Sequence, residues 1–260
     1  MFFGDSRRKL YGVYDAPTGA RRRSHAVLLC YPGVQEYGTS HWSFRRLAAM
    51  LARDGHHVLR FDYFGTGDSA GTTEEGSPEV WIRDIEQAAS ELSELSRARR
   101  LSILGKRLGA ALAVLACEEL VQADRLLLWD PVVSGSDYVR ELETWDARRN
   151  LLLLHAERSR GAWRNELLGY RFPAHLREAL GRLDLIRELP RRCAKVAIFG
   201  TEERTAYGRL AGAYRAAGVD VTLKLTRERN EDDGEASGRA QLAGSILNDM
   251  ANALGEDQAA

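Results

Sequence analysis

Short apolar runs that are typical of strands alternate along the chain with longer segments of helical periodicity. The clearest run, His25 to Tyr31, is almost continuously apolar, as expected for a strand covered on both faces, and Pro32-Gly33 ends it. The same signals predict further strands at residues 9–15, 57–63, 100–104, 125–129, 193–199 and 220–225, and helices at residues 43–54, 78–92 and 110–120. This alternation predicts an α/β protein with a mostly parallel, doubly wound sheet.

One connection between two predicted strands is too long to be a simple loop of the sheet. Residues 134–190 separate two predicted strands and are rich in arginine and aromatic residues, with a mostly helical pattern. The sequence therefore predicts a helical lid at 134–190, inserted into a core made of residues 1–133 and 191–260.

A sharp turn joins the strand ending at Leu104 to an apolar helix that starts near Ala110. The turn reads Gly105-Lys-Arg-Leu-Gly109, with glycine at both ends. A strand, a G-x-x-x-G turn and an immediate buried helix are the setting of a nucleophile elbow, which holds its central side chain above the sheet. That central residue is Arg107.

The chain resembles the α/β-hydrolase superfamily, in particular the serine aminopeptidase-like hydrolases and the exosortase A system-associated hydrolases. The resemblance is carried by the stretches 31–37, 58–71, 105–109 and 128–135, and it extends over roughly residues 9 to 254. It implies an α/β-hydrolase fold with a helical lid insertion.

The resemblance also implies a triad that the residues do not supply. An active relative has serine at the elbow, an acid after a late strand and a histidine after the last strand. Here Arg107 occupies the elbow, and a guanidinium stays protonated with no lone pair to offer as a nucleophile. No histidine follows His175, so the base is missing as well. Only the acid position has an occupant, Glu202 or Glu203.

A second serine matches the G-x-S-x-G pattern literally. Ser69 lies within Gly67-Asp-Ser-Ala-Gly71, but no helix starts directly after it. In the resembling families this serine belongs to a structural turn. We expect the Ser69 hydroxyl and the carboxylate of Asp62 to stabilise that turn.

Two interpretations of Arg107 are open. It completes an anion site with the amides of Val34 and Leu108, which lie where the fold builds its oxyanion hole. Lys106 is either a further ligand contact of that site or a solvated or lid-facing residue. Alternatively, it fills the former pocket by pairing with a carboxylate, since a buried charge needs a partner. The candidate carboxylates are Glu36, Asp130 and Glu202.

Two other residues have both a chemical and a structural interpretation. His41 either forms an acid/base pair with Glu36 or, with Ser40, caps a helix that starts just beyond it. Asp130 follows a strand at the carboxyl edge, where it serves as an alternative acid or opens a turn with Pro131.

The amino-acid composition limits the classes of partner that we expect the chain to bind. The 37 basic residues balance 37 acidic ones, which argues against nucleic acid or an anionic membrane as a partner recognised by bulk charge. Neither a signal peptide nor a membrane span is recognisable, and Cys30, Cys117 and Cys193 lack metal or redox spacing, so we expect a cytoplasmic protein with reduced thiols. The sequence predicts no cofactor and no metal. A homodimer or a protein partner is compatible with it.

Two functions remain open at this point. The first is a degenerate α/β-hydrolase that does not hydrolyse and binds a small anionic or acyl ligand in an accessory or biosynthetic role. The second is an active ester or thioester hydrolase or acyltransferase, or a non-hydrolytic catalyst that uses Arg107 with a carboxylate.

Overall fold

Eight strands form one sheet in the computed structural model, which describes residues 1–18, 23–119, 121–152, 165–226 and 244–255. The strands are β1 (Phe2–Phe3), β2 (Leu10–Asp15), β3 (His25–Cys30), β4 (His57–Phe61), β5 (Arg100–Lys106), β6 (Ala123–Trp129), β9 (Cys193–Gly200) and β10 (Asp220–Leu225). Their order across the sheet is β1-β2-β4-β3-β5-β6-β9-β10. Strands β1 and β2 pair antiparallel, β2 also runs antiparallel to β4, and the pairs from β4 through β10 are parallel.

Helices cover the sheet. They are α1 (Val34–Arg53), α2 (Pro78–Ser96), α3 (Leu108–Glu119), α4 (Gly135–Leu152), α5 (Ala174–Gly181), α6 (Thr205–Ala216) and α7 (Gly244–Gly255). All six residues of β3 are buried, which confirms the expectation for its continuous apolar run. The mostly parallel sheet and its flanking helices confirm the predicted α/β-hydrolase fold.

The start of α1 differs from the prediction. The helix begins at Val34 with Gly33 as its N-cap, nine residues before the predicted start at Ser43. The early turns are polar, so their apolar periodicity is weak, but Glu36 in the first turn favours the helix because it complements the dipole. The interpretation of Ser40 and His41 as a helix cap was therefore wrong, because both lie inside α1.

Residues 134–190 connect β6 to β9, and we call them the inserted segment. They contain α4, a short hairpin of β7 (Glu166–Leu167) and β8 (Tyr170–Arg171), and α5. The hairpin is an element that the prediction of a helical segment did not include. Helices α4 and α5 pack together, and the side chains of Tyr138 and Leu142 on α4 are buried.

No helix in the described part of the chain is long and apolar enough to cross a membrane.

Candidate functional site

The turn between β5 and α3 has the strained geometry of a nucleophile elbow. Arg107 adopts a φ of 53°, a left-handed conformation that is uncommon for a residue with a side chain. A Cβ at Gly105 would collide with the backbone of Gly109 and Ala110, and a Cβ at Gly109 would collide with the carbonyl oxygen of Tyr31. Glycine at both ends therefore lets the helix start directly over the strand, and the elbow predicted from sequence is present with Arg107 at its apex.

Two carboxylates hold the guanidinium of Arg107. Its Nε donates to Oε1 of Glu36 at 2.7 Å, and its NH2 group donates to Oε2 of Glu141 at 2.6 Å. The Arg107 side chain is 8% exposed, that of Glu36 11% and that of Glu141 24%, so the cluster is largely shielded from water. One cation with two anions leaves this triplet with a net negative charge.

Tyr138 completes the cluster. Its hydroxyl donates to Oε2 of Glu36 at 2.8 Å, so both oxygens of that carboxylate are engaged. The guanidinium carbon of Arg107 also lies 5.4 Å from the ring centroid of Tyr138 and 5.9 Å from that of Trp145. Three side chains of α4 thus surround a residue of the elbow.

The surroundings of Arg107 and Glu141 favour the charged form of both side chains. Burial alone would lower the pKa of Arg107, but the charges and hydrogen bonds of Glu36 and Glu141 raise it above its ordinary value. Burial alone would raise the pKa of Glu141, but Arg107 and then Arg204 hold it below its ordinary value. Arg107 is therefore a permanent cation that can neither accept a proton nor attack a carbonyl carbon.

The ion pairs continue to the surface. Arg204 has its NH2 group 3.4 Å from Oε1 of Glu141 and 3.6 Å from Oε2 of Glu202. Glu202 is 73% exposed at its side chain, so it lies at the outer end of this chain of charges. Glu202, which the sequence offered as the late acid, is therefore connected to Arg107 through Arg204 and Glu141.

Little space remains beside the elbow. A cavity bordered by Gly33, Tyr37 and Leu108 has a volume of about 10 Å³, which is room for about one water molecule. The Tyr138 hydroxyl lies 2.8 Å from where a Cβ of Gly33 would be. The inserted segment thus packs against the N-cap of α1.

Val34 and Leu108 are the first residues of α1 and α3. Their amides are therefore among the helix-terminal donors that have no partner within their own helix. Lys106, which the sequence offered as a ligand contact, has its Nζ 4.1 Å from the ring centroid of Trp129. Its ammonium is held over an aromatic face on β6.

Asp130 joins the ends of two strands. Its carboxylate accepts hydrogen bonds from the amide of Thr201 at 2.8 Å, the hydroxyl of Thr201 at 2.7 Å and the hydroxyl of Tyr207 at 3.3 Å. Its φ of 43° is also left-handed. These contacts support the turn interpretation of Asp130, and they direct its carboxylate toward the loop after β9.

His41 lies apart from Glu36. The two residues are five positions apart on α1, which places them on different faces of the helix. The His41 ring is stacked 6.2 Å from that of Tyr31, and His41 borders an open groove of about 490 Å³ that also contains Asp62. Glu36 is occupied by Arg107 and Tyr138, so the structure does not bring the two members of the predicted acid/base pair together.

Ser69 has a structural position. Its Oγ accepts a hydrogen bond from the amide of Tyr11 at 2.8 Å and donates one to the carbonyl of Asp62 at 2.6 Å. The Asp62 carboxylate in turn accepts from the amide of Asp68 at 3.0 Å and from the hydroxyl of Tyr37 at 2.8 Å. Both residues fasten the turn after β4, as the sequence predicted.

Sequence reasoning missed Glu141 and Tyr138. Both lie on α4, three residues apart, and Trp145 follows four residues later. This i, i+3, i+7 spacing places the three side chains on one face of a helix. The stripe was readable from the sequence, but its position over the elbow depends on how the inserted segment packs.

Comparison with known proteins agrees with this fold. The family model described as "Serine aminopeptidase, S33" matches residues 22–165. A proline iminopeptidase of Lactobacillus helveticus is 26% identical over 166 residues, which is 61% of this chain and 52% of the relative. The chain therefore aligns with about half the length of that relative.

Solved structures with the same fold include Est1E of Butyrivibrio proteoclasticus with bound ferulic acid, at a TM-score of 0.65 and 15% identity, covering 98% of this chain and 100% of that one. The bottromycin epimerase BotH superimposes with a TM-score of 0.58 at 16% identity, covering 95% of each chain. At these identities the likeness concerns the fold alone.

Proposed function

Because this chain belongs to the serine aminopeptidase S33 family and carries arginine at the elbow, we propose that it is a non-hydrolytic member that binds a small anionic or acyl ligand. The observation that carries the proposal is the clamp of Arg107 between Glu36 and Glu141. A side chain bonded on both sides occupies the position from which a serine would attack.

Three facts support the loss of hydrolysis. The guanidinium of Arg107 has no nucleophilic lone pair. The sequence contains no histidine after His175, so no base follows the last strand of the sheet. The cavity of about 10 Å³ beside Leu108 has no room for an acyl group.

The ligand class follows from what Arg107 already binds. The carboxylate of Glu141 lies 2.6 Å from the guanidinium, so the elbow is shaped to receive a carboxylate from the side of α4. A ligand carboxylate would replace Glu141 when α4 moves away, and the amides of Val34 and Leu108 lie at the adjacent helix ends. In this proposal the inserted segment acts as a lid, and the protein serves as an accessory factor in a biosynthetic pathway.

A titration with short-chain carboxylates tests this proposal. In Glu141→Ala the guanidinium loses its internal partner, so we expect butyrate or hexanoate to bind at least tenfold more tightly than to the wild type. The double variant Arg107→Ala, Glu141→Ala should lose that gain. Glu143→Ala is the matched control, since Glu143 lies on the same helix and pairs with Arg177. Equal affinity in all four proteins contradicts the proposal.

Labelling with a fluorophosphonate probe addresses hydrolysis separately. We expect no stoichiometric modification of any serine and no turnover of p-nitrophenyl esters. Labelling of a serine, followed by identification of the modified peptide, would instead support an ester or thioester hydrolase or an acyltransferase.

A non-hydrolytic reaction is the second candidate. The fold neighbour BotH is named an epimerase, so reactions other than hydrolysis are compatible with this fold. Such a catalyst would use the Arg107 cation to stabilise a negative charge and Glu36 or Glu141 to move a proton. Turnover of a carboxylate ligand that Glu36→Gln abolishes without changing its affinity would favour this candidate over simple binding.

A further inference from the structure

An open groove lies at the opposite edge of the sheet from Arg107. It has a volume of about 580 Å³, within the usual range for small-molecule sites. The groove is formed where β3, β5, β6 and β9 begin, together with the C-terminal end of α2. Since β5 runs from Arg100 to Lys106 between the two edges, roughly 20 Å separates this groove from the elbow.

The rim of the groove is strongly basic. Among the described residues that line it, four are arginines, Arg99, Arg100, Arg191 and Arg192, and Asp124 is the one carboxylate. They come from two separate chain segments, the start of β5 and the loop before β9, so the cations converge on the groove from two sides. A chain with zero net charge thus concentrates positive charge at this edge.

Two of the four cations are already neutralised. Arg100 has its Nε 3.7 Å from Oδ1 of Asp124, and Arg191 has its Nε 3.5 Å from Oε1 of Glu118. Within the described ranges of the chain, Arg99 and Arg192 have no carboxylate partner, and both side chains are exposed. Each therefore presents a guanidinium that is free to bind an anion in a bidentate manner.

The floor of the groove is lined by small side chains of three alanines together with the polar side chains of Ser93, Ser96 and Gln122. Ala26, Ala89 and Ala123 are buried there, which leaves open the volume that larger side chains would fill. Burial raises the pKa of the Cys193 thiol to about 11, so this neighbour stays neutral at pH 7 and neither repels an anion nor acts as a thiolate. The floor suits an uncharged organic group, and the rim suits an anionic one.

We propose that this groove is a second ligand site, for a small organic diphosphate such as a nucleoside diphosphate. Arg99 and Arg192 bind the two phosphate groups, and the floor contacts the organic part. Two free guanidiniums match a ligand with two charged groups better than they match a monocarboxylate. The groove, with its volume of about 580 Å³, is large enough for such a ligand. The site is independent of the function proposed for the elbow.

Calorimetric titration of the full-length protein with ADP, inorganic pyrophosphate and adenosine tests the site. We expect ADP and pyrophosphate to bind, with affinity that falls as salt rises, and adenosine not to bind. In Arg99→Ala, Arg192→Ala the affinity for both diphosphates should fall at least tenfold. The fold should survive, because neither side chain makes an internal ion pair within the described residues, and a thermal melt checks this.

The control variant Arg83→Ala, Arg209→Ala removes two other exposed arginines and should keep wild-type affinity. The proposal is overturned if neither diphosphate binds, if the control weakens binding as much as Arg99→Ala, Arg192→Ala does, or if an oligonucleotide binds where small diphosphates do not.

Discussion

The Nε of Arg107 lies 2.7 Å from Oε1 of Glu36, so the elbow after β5 is bonded directly to the first turn of α1. These are the two elements that frame a catalytic centre in this fold, and here an ion pair closes the space between them. The pair is shielded, with 8% of the Arg107 side chain and 11% of the Glu36 side chain exposed. Breaking this ion pair should lower the unfolding free energy by a measurable amount.

Removing the cation should strongly destabilise the protein. In Arg107→Met the carboxylates of Glu36 and Glu141 lose their shared partner, and a shielded charge left unpaired costs about 3–5 kcal/mol of unfolding free energy. Urea unfolding at pH 7 measures the difference. Arg140→Ala is the control, because the ion pair of Arg140 with Asp137 is 71% and 67% exposed, and we expect a change below about 0.5 kcal/mol. Equal effects of the two substitutions would contradict a stabilising role for the cluster.

Placing serine at the elbow should not create a hydrolase. In Arg107→Ser the new hydroxyl would have no histidine to take its proton, since the last histidine in the chain is His175, on α5. We expect no labelling by a fluorophosphonate probe and no ester turnover above the wild type. If the variant is labelled at the substituted position, another group in the cluster, such as Glu36, serves as the base.

The hydroxyl of Ser69 should matter for stability. It bridges the amide of Tyr11 and the carbonyl of Asp62, and Ser69→Ala leaves both groups without that partner. We expect a loss of about 1–3 kcal/mol in unfolding free energy. Ser90→Ala, at an exposed position of α2, should change it by less than about 0.5 kcal/mol. A wild-type unfolding curve for Ser69→Ala would count against the structural role.

Close packing at the elbow predicts a contrast between two glycines. A Cβ at Gly109 would meet the backbone carbonyls of Tyr31 and Cys30, so Gly109→Ala must shift α3 or β3 and should destabilise the protein by about 3 kcal/mol. Gly208, inside α6, has open space around its missing side chain. Gly208→Ala should therefore stabilise the protein by about 0.5–1 kcal/mol. Thermal melts of the two variants should shift in opposite directions.

Most elements of the fold could be predicted from local patterns in the sequence. The buried run of β3, the paired glycines of the elbow and the start of α2 at Pro78 each depend on neighbours in the sequence, and each was predicted. The first nine residues of α1 were not predicted to be helical, because they are polar. Their helix is supported by contacts around Glu36 that involve residues far along the chain.

The candidate site could be predicted only in part. The sequence placed Arg107 at the elbow and named Glu36 among three candidate partners, since a buried cation needs an anion. It could not choose between them, and it did not find Glu141 or Tyr138. Glu141 is 34 residues from Arg107, which it binds, and Tyr138 is 102 residues from Glu36, which it binds. The positions of both side chains therefore follow from tertiary packing.

A buried histidine predicts how stability responds to acid. His56 is fully buried, and its nearest carboxylate oxygen, on Asp54, lies 3.5 Å away. Burial, then the charges of His25 and Arg23, lower the pKa of His56 from 6.5 to about 4. The unfolded chain therefore takes up a proton near pH 6.5 that the folded protein takes up only near pH 4. The contribution of His56 to the unfolding free energy therefore falls as the pH drops from about 6.5 to about 4, by about 3 kcal/mol in total.

Asp84 acts in the opposite direction over part of the same range. Burial raises its pKa to about 6, so protonation of Asp84 favours the folded state as the pH falls. The His56 contribution is therefore isolated by comparing the wild type with His56→Leu, which keeps Asp84. Urea unfolding at pH 7.5, 6, 5 and 4.5 should show the stability of the wild type declining relative to His56→Leu as the pH falls. A difference that stays constant over that range would show that His56 titrates alike in the folded and unfolded chains.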